Sequence, residues 1–464
     1  MQAFEEVLLP IVQKINSYLS DYILIILLIG MGLLFTIKTR FVQVRCFKEG
    51  WKQVFGNIKF FGKKQKSGMS SFQALATAVA AQVGTGNIVG ASGAILIGGP
   101  GAIFWMWIIA FLGMATIYAE AVMAQKTKIV KEDGTVLGGP VYYIREAFKG
   151  KFGKFLAGFF AVSIILALGF FGCMVQSNSI GSTCAEAFGI PSWIVGIIIA
   201  EIAVFIFVGG IRRLASVTEK IVPIMAVLYI IGGLVIIAAR IQYIPETFGM
   251  IFRYAFEPSA IIGGSVGYAI KTAISQGAKR GLFSNEAGMG STPHAHAQAN
   301  VADPHTQGVT AMIGVFVDTF IVLTMTALVV ISTLYAGNGP LSQVGAAEGF
   351  SKATLAQQAF GSVFGETFGN IFVAICLLFF AFSTILGWNL FGKINVQYLF
   401  GKKATIIYSI MAVGFIFLGS ILSNDLVWEL TDMFNNIMVI PNALALIVLS
   451  ASVGKCAVDH IKKK

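Results

Sequence analysis

Along most of this chain apolar residues come in long runs, without the one-sided periodicity of a helix that lies against water. The runs predict eleven membrane-crossing helices: α1 over 22–37, α2 over 71–96, α3 over 102–125, α4 over 155–179, α5 over 193–209 and α6 over 222–239. The series continues with α7 over 261–291, α8 over 310–334, α9 over 371–391, α10 over 404–422 and α11 over 426–449. The polar positions that interrupt these runs are the informative ones. α2 contains Val83-Gly84-Thr85-Gly86-Asn87 at its middle, and α7 is predicted to be interrupted around Ser275 to Gly281. These two helices open the halves of a five-plus-five arrangement, 67–240 and 241–464, behind an N-terminal unit of 1–66. With α2 running outward and α7 inward, the halves are inverted relative to each other. A pair of Gly-interrupted spans in matching places is the sequence pointer to a secondary transporter's binding site.

Unwound backbone at mid-membrane costs several kcal/mol per unpaired group unless something polar fills the gap. The inner half of α2 would present carbonyls near Ala80 and Val83, which suit a cation. Its outer half would present N–H groups from about Thr85 to Ile88, which suit a carboxylate. Gly84 and Gly86 permit the turn, although glycines also serve close helix–helix contact. In α7, Lys279 and Arg280 are equally compatible with a cytoplasmic helix end.

Composition fixes the class. The 464 residues are 56% hydrophobic and 12% charged, with a mean hydropathy of +0.80. A soluble domain of this length needs about twice that charged share. The net charge of +11 raises a nucleic-acid reading, but the basic residues fall in short clusters between apolar runs. Nine lie between α1 and α2 (Lys38, Arg40, Arg45, Lys48, Lys52, Lys59, Lys63, Lys64 and Lys66) and seven between α3 and α4. Arg212, Arg213 and Lys220 follow α5; Lys393, Lys402 and Lys403 follow α9; Lys455 and Lys462 to Lys464 end the chain. The other side holds Lys14, Arg240, Arg253 and Lys352. That asymmetry predicts an outside N-terminus and a cytoplasmic C-terminus in a prokaryotic inner membrane, and excludes nucleic acid as partner. Glu5 and Glu6 at the start, with positive charge following the first apolar run, predict a retained helix and not a signal peptide.

At two places the residues resemble a known family. Gly98-Gly99-Pro100-Gly101-Ala102-Ile103-Phe104-Trp105-Met106-Trp107-Ile108 is similar to the signature of the alanine or glycine:cation symporters. Gly277 to Ser291, GAKRGLFSNEAGMGS, resembles that family's second hallmark stretch. The resemblance covers essentially the whole chain. It implies an all-α, leucine-transporter-type five-plus-five core with one extra N-terminal helix, carrying alanine or glycine with sodium and no organic cofactor. By the same resemblance, Thr85 and Gly86 hold the substrate carboxylate through their amides. Gln176, Phe283, Thr384 and Trp388 complete the pocket. Ser383 and Thr384, with the carbonyls of Ala80 and Val83, form a neutral sodium cage. Asn87 matches an asparagine that holds a substrate-linked sodium elsewhere in the superfamily. Read without the resemblance, Ser383 and Thr384 are ordinary interhelical hydrogen bonders, and Gln176 is equally one.

Glu120, Glu201, Asp318, Glu429 and Asp432 fall within apolar runs and are candidates for a coupling proton or for structural pairs. His294, His296 and His305 are expected in a solvated connector, with no cysteine or spaced carboxylate to make a metal site. Cys46, Cys173, Cys184, Cys376 and Cys456 are scattered and predict packing residues, with neither a disulfide framework nor a zinc site. No nucleophile–base constellation or phosphate loop marks an enzyme. A proton-coupled carrier of another small amino acid and an ion channel are the rival readings; a channel commonly needs an oligomeric pore around a filter.

Overall fold

The computed structural model describes residues 2–56, 69–132, 134–258, 263 and 265–462. Lys59, Lys63, Lys64, Lys66, Lys463, Lys464 and the start of α7 at 261 lie outside the described residues, as do the side chains of Arg212 and Lys462. The described residues are mostly helix, with a hairpin pairing Ile129–Val130 with Val136–Leu137 and a long non-helical connection between Leu334 and Leu355.

Most runs extend beyond their hydropathy limits because polar helix ends are used for docking. α1 occupies Gln2–Lys38, with a wide turn at Leu19–Leu24. Its polar residues, which ended the predicted run, tie it to the bundle. Asn16 Nδ2 donates to the Glu429 carbonyl (2.8 Å) and carboxylate (2.6 Å), and Lys271 Nζ lies 2.9 Å from Asp21 Oδ2. α3 is Ala102–Thr127, and α4 runs over Gly150–Phe188. α6 begins at Gly210, α8 spans Pro304–Leu334 and α9 spans Glu366–Phe400. Seven helical runs among the described residues are long and apolar enough to cross a membrane, and a bent pair makes an eighth. α5 (Ser192–Val208) and α10 (Ala404–Gly419) are apolar but shorter.

The bent pair is α2. Its first half, Ser71–Gln82, starts from a Ser70–Gln73 capping box, and its second half, Gly86–Gly98, is turned by 46°. α7 differs from expectation. It is one continuous helix, Val266–Asn285, straight through Ser275 to Gly281, and the chain unwinds only after Asn285. The four-residue spacing of Gly277 and Gly281 serves contact with α3: a Cβ on Gly277 would stand 2.5 Å from Trp105 Cβ. The glycines that break the helix lie further on, at Gly288 (φ +99°) and Gly290 (φ +80°). Large apolar side chains on α5, α6 and α10, among them Phe205, Val208, Ile224, Ile406 and Ile410, are exposed, as a lipid-facing surface requires.

Candidate substrate and cation site

The break in α2 is held open from inside. Ser71–Gln82 ends with Val83 in extended conformation, so the carbonyls of Ala80 and Val83 lose their helical partners. Gly84 N donates to the Asn87 side chain at 3.0 Å, a local bond that lets the chain re-enter a helix within three residues. Thr85 N donates to Gln176 Oε1 of α4 at 3.2 Å. The surroundings leave no room for side chains at the glycines. A Cβ on Gly84 would sit 2.3 Å from Thr384 Oγ1, and one on Gly86 would sit 3.0 Å from Ser284 Cα.

From α9, the Thr384 hydroxyl donates to the carbonyl of Ala80 at 2.9 Å and reaches that of Val83 at 3.5 Å; Ser383 Oγ lies 3.3 Å from the former. The two hydroxyls and two carbonyls are buried and carry no charge. Rotation of the hydroxyl hydrogens would free both hydroxyl oxygens to join the two carbonyls as neutral oxygen donors, a set whose chemistry suits a singly charged hard cation. Beside it, Thr85 Oγ1 and Gln176 Nε2 are buried and lack hydrogen-bond partners among the described residues. Buried polar atoms are seldom left so, and an acceptor–donor pair at a helix break suits a zwitterion.

Phe283 meets Trp388 edge-on at 5.7 Å and Trp428 at 4.8 Å, so three aromatic rings wall one side. Above Trp428 lies the Arg280 guanidinium, 4.5 Å from the ring, in a two-pronged pair with Asp432 (3.1 and 2.9 Å). Lys279 Nζ joins the same carboxylate at 2.8 Å. Lys279 and Arg280 are therefore ion-paired inside the bundle, in a helix that continues to Asn285.

Three further carboxylates define the site more sharply than the sequence did. Asp318 of α8 accepts from Asn87 Nδ2 (2.7 Å), Ser284 Oγ (2.8 Å) and Thr319 Oγ1 (2.9 Å). It thus joins the α2 break to the end of α7. Glu120 of α3 accepts from the N–H groups of Gly288 (3.1 Å) and Gly290 (2.9 Å) and from Asn442 (2.7 Å), which answers where the unwound donors after α7 go. Glu286, the first residue past α7 and in the left-handed region (φ +57°), accepts from Trp388 Nε1 at 2.5 Å and from Ser291 Oγ. All three are fully buried, and among the described residues no lysine, arginine or histidine lies within 4.0 Å of their carboxylates. Glu286 and Ser284 escaped sequence reasoning, though both stand inside the second hallmark stretch. The signal available was the run of glycines at Gly288 and Gly290, which marks the true end of the helix.

The remaining candidates fall elsewhere. Glu201 is exposed, and Glu429 faces Asn16 and Lys279 at the bundle edge. The histidines are not solvated, contrary to expectation. His294 and His296 sit in the short helix Pro293–Gln298, are wholly buried, and are bonded to Asn395 and Gln307 at 2.8 Å each. Burial pushes His294 down to about 4 and His296 to about 3, so both are neutral. The cause is that the connector folds back under α2 and α3, where Met69 pairs with Ala299 and Gln125 Nε2 donates to the carbonyls of His296 and Ala299.

Residues 5–464 match the sodium:alanine symporter family. The chain is 41% identical over 445 residues to the sodium/alanine symporter AgcS of Methanococcus maripaludis, covering 96% of this chain and 95% of that one. It is 38% identical over 466 residues to a putative sodium/proton-dependent alanine carrier protein, YrbD, of Bacillus subtilis, covering 98% and 92%. Among solved structures it is similar to MhsT in complex with L-phenylalanine, with a TM-score of 0.57 over 86% of this chain and 99% of that one; at 13% identity the likeness is one of fold. With the family's match running over residues 5–464 and relatives that are transporters, the chain is a transporter and not an enzyme: the protein belongs to the sodium:alanine symporter family.

Proposed function

We propose that the chain imports a small neutral amino acid, alanine or glycine, coupled to sodium by alternating access across the cytoplasmic membrane. In this reading α2–α6 and α7–α11 are two inverted halves around the site, with α1 outside them, the N-terminus outside the cell and the C-terminus cytoplasmic. The observation that carries it is the α2 break, where unpartnered Thr85 Oγ1 and Gln176 Nε2 adjoin the Ala80 and Val83 carbonyls and the α9 hydroxyls. The Gly86 amide and Gln176 Nε2 take the substrate carboxylate, joined by the Thr85 amide once Gln176 Oε1 releases it. Phe283 and Trp388 bound the side-chain space, and Trp428 under the Arg280–Asp432 pair covers it. One sodium is held by Ala80, Val83, Ser383 and Thr384. Ser284 supplies a neutral hydroxyl oxygen beside Asp318. Asn87, whose amide nitrogen now faces that carboxylate, would turn its Oδ1 from Gly84 N to a second cation there, offsetting a charge that no basic side chain among the described residues balances.

Uptake of labelled alanine and glycine into proteoliposomes tests this. The expected result is saturable accumulation above the external concentration with an inward sodium gradient, collapsing when that gradient is removed. Equilibration without accumulation would instead describe a channel. A second reading, coupling to protons, is favoured by the buried Asp318 and Glu286 carboxylates. It predicts concentrative uptake driven by a pH gradient in sodium-free medium.

A further inference from the structure

Away from the transport site, four metal-ligating side chains from three parts of the chain converge where the N-terminal region meets the C-terminal helix. Cys46 immediately precedes the short helix Phe47–Phe55, whose first turn carries Glu49. His305 opens α8, and His460 belongs to the terminal helix Ser450–Lys462. The Cys46 sulfur, a Glu49 carboxylate oxygen and a His305 ring nitrogen lie within 4.8 Å of one another. Glu49 Oε1 is 3.4 Å from His305 Nε2 and 3.1 Å from His460 Nε2, and the two imidazoles stack with centroids 3.9 Å apart. Both Nε2 atoms are screened from solvent, yet neither is aligned for a hydrogen bond.

We propose that Cys46, Glu49, His305 and His460 form a four-coordinate site for a borderline-soft divalent ion, with zinc as the expected occupant. Nitrogen and oxygen donors on a tetrahedral zinc at about 2.0–2.1 Å stand about 3.3 Å apart, a spacing bracketed by the two Glu49–histidine distances. Zinc–thiolate bonds of about 2.3 Å widen that edge to about 3.6 Å, so within the trio Cys46 has to close on Glu49 and His305 by about 1.2 Å at most. His460 has to turn out of its stack on His305 to aim Nε2 at the same ion. A sulfur, two imidazoles and one carboxylate suit zinc and its neighbours; sodium, magnesium and calcium demand oxygen. The site is therefore chemically separate from the transported cation. An outer partner is already in place: the Tyr118 hydroxyl lies 2.7 Å from His305 Nδ1. When Nδ1–H donates to that oxygen, the Nε2 lone pair faces Glu49, as a metal ligand must. Arg45 Nη2, bonded to the Ala457 carbonyl at 3.3 Å, and Lys126 Nζ, bonded to Ser452 Oγ at 3.0 Å, dock the terminal helix against the site. Their positive charge opposes a divalent ion, and the thiolate and carboxylate offset it. On the side that positive charge marks as cytoplasmic, thiols stay reduced and available to a metal. Bound zinc would clamp the segment after α1 and the terminal helix onto the start of α8.

The test uses the full chain without a histidine tag, purified in detergent, stripped with a chelator, exposed to zinc and freed of excess metal. About one zinc per chain is expected to remain, and cobalt in its place should give a thiolate-to-metal charge-transfer band. Cys46→Ser should lose the band, and His460→Ala should lose retained zinc. Tyr118→Phe should keep the site with about tenfold weaker affinity, the cost of an outer partner. Cys456→Ser, a change in the other thiol beside Tyr118, should leave the band intact. Absence of retained zinc or of the cobalt band in the wild-type chain overturns the proposal without reference to any variant. Retention undiminished in both Cys46→Ser and His460→Ala, or loss of the band only in Cys456→Ser, overturns it as well.

Discussion

Thr384 Oγ1 stands between two carbonyls of the α2 break and, among the described residues, is the one side-chain oxygen within hydrogen-bond reach of both. Replacing it by valine keeps the shape and removes the ligand. Thr384→Val should therefore raise the sodium concentration for half-maximal uptake by about tenfold or more, the order expected for one bond to a charged partner. Sodium titration of alanine uptake measures it; an unchanged curve would take this hydroxyl out of the cation site. Trp388 serves two ends at once, its ring against Phe283 and its N–H on Glu286. Trp388→Ala should open the pocket so that larger amino acids compete with alanine, read as a lowered inhibition constant for leucine or phenylalanine. Ser383, Thr384 and Trp388 were readable as candidates through the family resemblance. Glu286 was not, because a lone glutamate after a glycine-spaced helix looks like a polar loop until the chain folds it under the indole.

At the scale of elements, both helix breaks are defined by what surrounds them. Gly84 is confined by α9 and α4, since its would-be Cβ meets Thr384 Oγ1 at 2.3 Å and Gln176 Oε1 at 3.2 Å. Gly84→Ala should abolish uptake while leaving membrane expression near wild type, checked by immunoblot beside the transport assay. The unwinding after α7 depends on Glu120, which takes two backbone N–H groups and the Asn442 amide. Glu120→Ala leaves these buried donors unpaired, at about 1–3 kcal/mol each. A thermal-unfolding midpoint in detergent several degrees lower is expected, and an unchanged midpoint would mean that water replaces the carboxylate. The α2 break was legible because Gly-Thr-Gly-Asn interrupts an apolar run. The α7 break was misread upstream because Gly277 and Gly281, used for contact with α3, carry the same local signal as glycines used to end a helix.

For the whole molecule, buried neutral histidines set a pH dependence. His294 and His296 are held at about 4 and about 3, below an ordinary value of about 6.5, so the unfolded chain binds more protons between those limits. Their stabilising contribution is full above about pH 6.5 and is lost as pH falls toward 4. Thermal midpoints measured from pH 7.5 to 5 should fall, and substitution of His296 by glutamine should flatten part of that slope.

The sequence alone determined the membrane class, the order of most spans and the position of the first break. Each of these follows from local hydropathy or from a local loss of helix-forming residues. The tertiary structure decided which polar residues meet. Asp318 lies over two hundred residues from Asn87, and Glu49 lies over four hundred from His460, so nothing in the spacing could join them. It also decided which glycines turn the chain and which admit a neighbour, because that choice depends on the atoms facing each Cα, and those arrive from other helices.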